Sequence, residues 1–274
     1  MPFTLAHPVA AVALRRKLGR FGVLSALVIG SITPDLHYFL PLAVDRDEAH
    51  SLPGIFWFDL PVGFTVYLVF HLLLKLPLLS LFPESFAGQV VTLVSPKSPL
   101  PKVPWIAVFI SLFIGIVTHI IWDSFTHTES AGVSALPLLQ MPLFSVDGHR
   151  VRICHVLQQI STVGGMVLLI LWIKDWQRLT VAQHWRQPVL LSDKERSVIL
   201  GSLIVAAVTF ALLSEFFILS RSITIVTVQI ALRTIVVTTI STLCLFFFVY
   251  CIIWQLFASR NNNPLKELND LPRE

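Results

Sequence analysis

Four stretches of this chain, residues 55–79, 104–124, 198–220 and 233–257, each run for more than 20 residues with almost no charge. A helix rises 1.5 Å per residue, so about 20 apolar residues match a hydrocarbon layer about 30 Å thick. A fifth stretch, 155–173, is shorter but sufficient, and 21–43 offers a sixth that Pro34, Asp35 and His37 interrupt. In lipid the backbone must satisfy its own hydrogen bonds, which favours helices. These runs do not alternate as the strands of a membrane barrel do. The expected fold is all-α, a polytopic membrane helix bundle of about five or six spans. Charge agrees: 13% of the 274 residues are charged, where a soluble domain carries roughly 25%. A single transmembrane domain, 1–258, is expected, followed by a polar tail, 259–274, carrying Asn261, Asn262, Asn263 and Pro264.

Basic residues set the expected orientation. With 15–20, the 75–103 loop, the 174–197 loop and the tail on one side, that side holds 15 of the 20 Lys and Arg. Cytoplasmic loops are enriched in these residues. Arg46, Arg150, Arg152, Arg221 and Arg233 then face outward. A cleavable signal peptide is not expected, because Pro34-Asp35-Leu36-His37 follows the first apolar stretch in place of a small-residue cleavage site. The net charge of +4 fits basic inner loops, and nucleic acid is not an expected partner. Cys154, Cys244 and Cys251 form no CxxC pair and read as packing residues.

The N-terminal segment reads as a short helical hairpin. Pro8 suits a first turn, Gly19 and Gly22 mark the reversal, and Pro34 stops the second helix. Such a hairpin brings His7 and Asp35 to one end, about 18 Å from the basic tip. The small residues Ala10, Ala11, Ala13, Ser25, Ala26, Gly30 and Ser31 permit close helix contact.

Titratable residues inside membrane segments are expensive and face a protein interior. Here His7, Asp35, His37, Glu48, His50, Asp59, His119, Asp123, His127, His149 and His155 all fall near the expected outer face. His119, Asp123 and His127 are spaced i, i+4, i+8 and share one helix face. Their full span, about 12 Å, is too long for one ion, but a neighbouring His/Asp pair can grip one. Imidazole and carboxylate are ordinary zinc ligands, and a bound ion makes water acidic enough to supply a nucleophile. Several of these residues also have plainer readings. His71 reads as a packed, hydrogen-bonded residue, His184 as a solvated one and His149 as an exposed loop residue. Asp59 reads as a helix-start carboxylate, and Glu215 as paired with Arg221 or Arg233. A purely structural polar network is the plain reading of the whole group.

Four motifs carry a resemblance. Met1-Pro2-Phe3-Thr4-Leu5-Ala6-His7-Pro8, Gly30-Ser31-Ile32-Thr33-Pro34-Asp35, His50-Ser51-Leu52-Pro53-Gly54 and Thr118-His119-Ile120-Ile121-Trp122-Asp123-Ser124-Phe125-Thr126-His127 resemble an uncharacterised bacterial membrane family, a domain of unknown function. The likeness covers most of 1–165, including Leu157-Gln158-Gln159-Ile160-Ser161. More distantly, the order His, Pro-Asp, His-Ser, His-x-x-x-Asp is similar to predicted membrane-bound metal-dependent hydrolases and to zinc-dependent phospholipase C enzymes. That likeness implies metal roles for His7, Asp35, His50, His119 and Asp123. It does not extend to His37, His127, His149 or His155. Where the membrane hydrolases often carry a further His, this chain has Glu48-Ala49.

The resulting expectation is a multi-pass protein of a bacterial inner membrane, with its site toward the outer face. It would be a metal-dependent hydrolase, zinc the leading cofactor, acting on a lipid or envelope phosphoester. Glu48 or His127 would serve as general base, and Arg150 or Arg152 would hold an anionic headgroup. The alternatives are an ion- or proton-coupled transporter component, or a noncatalytic assembly factor whose His/Asp cluster fastens helices.

Overall fold

The computed structural model describes residues 4–40, 42–94, 98, 100–146, 149–182, 191–219 and 225–260. Among them the structure is overwhelmingly helical, as expected. The helices are α1 (Pro8–Leu18), α2 (Leu24–Ile32), α3 (Arg46–Ala49), α4 (Leu52–Leu81), α5 (Glu84–Val94) and α6 (Trp105–Ser124). After the short α7 (Ala131–Ala135) and α8 (Pro137–Gln140) come α9 (Ile153–Leu179), α10 (Asp193–Leu219) and α11 (Ile225–Arg260). Between α8 and α9 lies one element that the apolar pattern does not announce, an antiparallel hairpin of β1 (Pro142–Val146) and β2 (His149–Arg152).

Five helical segments are long and apolar enough to cross a membrane: Leu52–Leu81, Trp105–Ser124, Ile153–Leu179, Asp193–Ser214 and Thr234–Phe257. The sixth candidate, 21–43, is not one of them. Pro34 has no N–H to continue α2, so that helix ends after 9 residues and passes into a 3₁₀ turn, Thr33–Tyr38. It covers about 14 Å, half a bilayer. The two short helices instead form the expected hairpin, reversing at Gly19, whose φ of 53° lies where a side chain is strained.

The chain divides into two compact units. The first comprises Met1–His37, Leu42–Leu68 and Lys102–Val181. Here α2 lies against α6 at almost no distance. A Cβ on Gly30 would run into the Leu112 carbonyl oxygen, and one on Gly115 would stand 2.5 Å from that of Leu27. Gly30 was expected to allow close packing within the hairpin; its backbone contact is with α6. Ser111 fastens the arrangement by donating to the Phe21 carbonyl at 2.6 Å and accepting from the Val23 amide at 2.9 Å. The N-terminal turn Thr4–Ala6 rests on α9, where Gly165 leaves room for Ala6.

The second unit comprises Tyr38–Pro41, Val69–Pro101 and Ala182–Glu274. Its section of α4 contains Pro77, which cannot donate to the Leu73 carbonyl four residues back. A π turn forms at Phe70–Leu74, and Gln255 on α11 supplies the missing donor at 3.1 Å. Lys75, placed by the sequence in a basic loop, is instead a buried residue of α4 that donates to the Ser98 carbonyl at 2.7 Å. Within the same expected loop, α5 packs Ala87 and Val91 against Leu79. His184, Asp147, Gly148, Arg221 and the tail from 261 lie outside the described residues, as do the side chains of His149, Glu215 and Arg233.

Candidate metal centre

Each side chain of the site is delivered by a different local device. His119 and Asp123 lie one turn apart near the end of α6, both buried. The close approach at Gly30 and Gly115 brings the end of α2 alongside, and the Ser31 carbonyl accepts a hydrogen bond from His119 Nδ1 at 2.8 Å. That carbonyl has no 3₁₀ donor of its own, because the residue three positions on is Pro34. The 3₁₀ turn then carries Asp35 into the same space, 2% exposed.

His50 arrives on a capped corner. Asp45 caps α3 by accepting from the Glu48 amide at 2.8 Å, and Ser51 caps α4 by accepting from Gly54 N at 3.0 Å. Gly54 sits against the Glu48 carbonyl oxygen, where no side chain fits. This corner holds His50 so that its Nδ1 donates to the Arg46 carbonyl at 3.0 Å.

The two imidazoles are therefore in the same state. Each spends its Nδ1 proton on a backbone carbonyl, which leaves each Nε2 turned inward as the atom that would ligate an ion. Those two Nε2 atoms stand 3.2 Å apart. Asp35 Oδ1 lies 3.6 Å from His119 Nε2 and 3.9 Å from His50 Nε2, and Asp123 Oδ2 lies 3.7 Å and 3.5 Å from them. All four ligand atoms fall within 4.8 Å of one another. Four ligands at zinc's ordinary distances form a tetrahedron with edges of about 3.3 Å. A backbone carbonyl fixing the far nitrogen is also the usual support of a metal-bound histidine. Without a cation or a shared proton, lone pairs and carboxylates would repel one another here. The donor set fits a divalent ion.

His7 completes the cluster from the start of α1. Its Nε2 is 3.4 Å from Asp123 Oδ1, its ring stacks on His119 at 3.9 Å, and neither nitrogen has a hydrogen-bond partner among the described residues. Burial, then the nearby His119, push its pKa down to about 3 against the pull of Asp123 and Asp35, so the ring stays neutral. His127 Nδ1 donates to the Asp123 carbonyl at 3.1 Å and lies 3.4 Å from Asp123 Oδ2, while its Nε2 is buried with no hydrogen-bond partner among the described residues. Burial pushes this ring down to about 4, with Asp123 pulling the other way.

Two neighbours escape a reading of the sequence alone, and a third has a different place from the one expected. Thr4 donates to Asp35 Oδ2 at 2.6 Å, orienting that carboxylate. Its only signal is its place within the opening motif, three residues before His7. Arg46 brings a guanidinium nitrogen to 3.7 Å from Asp123 Oδ2; it precedes His50 by one helical turn, a spacing that would have suggested a shared face. Asp59 does not start a helix, since α4 begins at Leu52. It sits in the π turn Ile55–Asp59, fully buried, with neither oxygen hydrogen-bonded among the described residues.

Other expected site residues are not brought in. Glu48 is exposed, and its backbone serves the α3–α4 corner. Arg150 is exposed on β2, and neither it nor Arg152 has a described contact with the cluster. His155 accepts from the Arg152 amide at 3.2 Å, which caps α9. A spacing argument does not see where the two arginines go because β2, not a loop, carries them.

The family profile described as Domain of unknown function (DUF4184) matches residues 1–252, and the chain belongs to that family. No curated protein and no solved structure matches it.

Proposed function

We propose that this DUF4184 protein is a membrane-embedded metal-dependent hydrolase acting on a phosphoester of a lipid or envelope precursor. The observation that supports this reading is the pair of inward Nε2 atoms 3.2 Å apart, flanked by two buried carboxylates. Asp35, His50, His119 and Asp123 would hold the ion. His7 Nε2 and Asp123 Oδ1, 3.4 Å apart, offer ligands for a second. Zinc is the leading candidate, because two nitrogens and two carboxylate oxygens suit it. Such an ion, when bound, polarises a phosphoryl oxygen and lowers the pKa of water.

The chain's own groups divide the remaining work. His127 lies against Asp123 through Nδ1 and keeps its Nε2 buried, which favours it over the exposed Glu48 as the group that takes a proton from the attacking water. Thr4 and the Ser31 carbonyl fix the orientation of Asp35 and His119. The test is direct. Detergent-purified protein should retain near-stoichiometric zinc or manganese and hydrolyse chromogenic phosphoesters, and His119→Ala should lose both. A wild-type protein that carries no metal after purification and takes none up would end the proposal.

A second reading rests on the same short distance. A proton shared between His50 Nε2 and His119 Nε2 would also relieve the repulsion, as in a proton-coupled transporter. Reconstituted vesicles that move protons or ions without hydrolysis would favour it.

A further inference from the structure

Arg46 is placed between solvent and the buried cluster. Its side chain is 26% exposed, Nη2 lies 3.7 Å from Asp123 Oδ2, and Nη1 lies 3.9 Å from the exposed Asp47. Neither contact is short enough to be a hydrogen bond, so the guanidinium fork stands beside two carboxylates without gripping either. The same residue anchors His50 through its carbonyl. One short helix therefore fixes a ligand and aims a cation at the position that ligand faces. Around that position, two carboxylates balance one divalent ion, and the ligand imidazoles are neutral. Arg46 adds one positive charge on the inner side, and Asp47, the carboxylate that would offset it, is 90% exposed and screened by solvent. A partly buried site with surplus positive charge and an uncommitted planar fork is complementary to an anion with paired oxygens.

We infer that Arg46 holds the phosphoryl group of the substrate, the role expected above of Arg150 or Arg152. This rests on the hydrolase reading and names its recognition element. The ion and the guanidinium would grip different oxygens of one phosphoryl group, and Arg46 would act in binding without taking part in proton transfer.

The experiment compares wild type, Arg46→Gln and Arg46→Lys in detergent, each measured for metal content and for binding of inorganic phosphate by calorimetry. Expected are unchanged metal content, phosphate affinity lower by about 10- to 100-fold in Arg46→Gln, and a partial recovery in Arg46→Lys, which keeps the charge without the fork. Undiminished phosphate binding in either variant would overturn the assignment, as would a wild type that holds metal but binds no phosphate. Should Arg46→Gln fail to fold, Arg46→Lys alone decides: full affinity overturns the assignment, reduced affinity supports it. A wild type without metal brings down the hydrolase reading instead, and loss of phosphate binding in Arg46→Gln would still support the Arg46 assignment. Glycerol 3-phosphate and phosphatidic acid in mixed micelles distinguish the sources. Both should depend on Arg46, and tighter binding of phosphatidic acid points to a lipid headgroup rather than a soluble phosphoester.

Discussion

In the first unit, 39% of the apolar stretch of α6 is buried inside the protein; for α9 of the same unit, and for α10 and α11 of the second, the share is 11% each. The buried interior of the first unit is rich in polar groups: Thr4, His7, Ser31, Asp35, Asp59, Ser111, His119 and Asp123 are all at most 6% exposed. The long helices of the second turn Val205, Phe210, Leu213, Ile253 and Phe257 outward, each more than half exposed. Similar hydropathy thus serves two ends. Packing α6 tightly removes it from lipid and lets it carry titratable groups that would be prohibitive on a lipid-facing surface. Helices that meet lipid need little more than length and apolarity.

The contrast can be broken most severely at α6. His119→Ala should reduce bound metal to below about one tenth of the wild-type content, read by elemental analysis, because it removes one ligand and the Ser31 contact together. Full metal retention would mean that the cluster is structural only. Next in size is Gly115→Ala, whose Cβ must displace the Leu27 carbonyl 2.5 Å away. Overpacking of this kind costs about 3 kcal/mol, measured by denaturant titration in micelles, and metal affinity should fall with it. Ser111→Ala removes a donor to Phe21 and an acceptor for Val23, a loss of about 1–3 kcal/mol. The smallest effect is expected for Gly201→Ala on α10, where nothing lies within 4 Å of the added carbon. The helix there should gain up to about 1 kcal/mol. Equal destabilisation by the alanine at 115 and the alanine at 201 would erase the distinction between α6 and α10.

Much of this was legible before any coordinates. The spans expected at 104–124 and 55–79 correspond to Trp105–Ser124 and Leu52–Leu81, within three residues at each end. The hairpin followed from Pro8, Gly19 and Pro34, residues whose backbone limits are local. A gathering of titratable residues was anticipated from their cost in apolar segments, while the narrower set of Asp35, His50, His119 and Asp123, with His7, was what the resemblance implied. Arg46 and Glu48 show where that logic stops. They sit two residues apart on α3, equally polar, yet Arg46 reaches Asp123 while Glu48 meets solvent. Nothing in composition separates them; only the direction of one short helical turn does.

By itself the sequence determined that this chain is built of apolar helices, where its first hairpin turns, and that titratable groups in its apolar segments must share an interior, because hydropathy, proline and glycine act over a few residues at a time. The tertiary structure alone decided that two Nε2 atoms face each other across 3.2 Å, that Thr4 orients Asp35, and that Arg46 rather than Arg150 or Arg152 stands beside them. Those outcomes depend on how closely α2 can approach α6 and on which way the corner before α4 then faces, and the first of these joins segments 88 residues apart that no local pattern links.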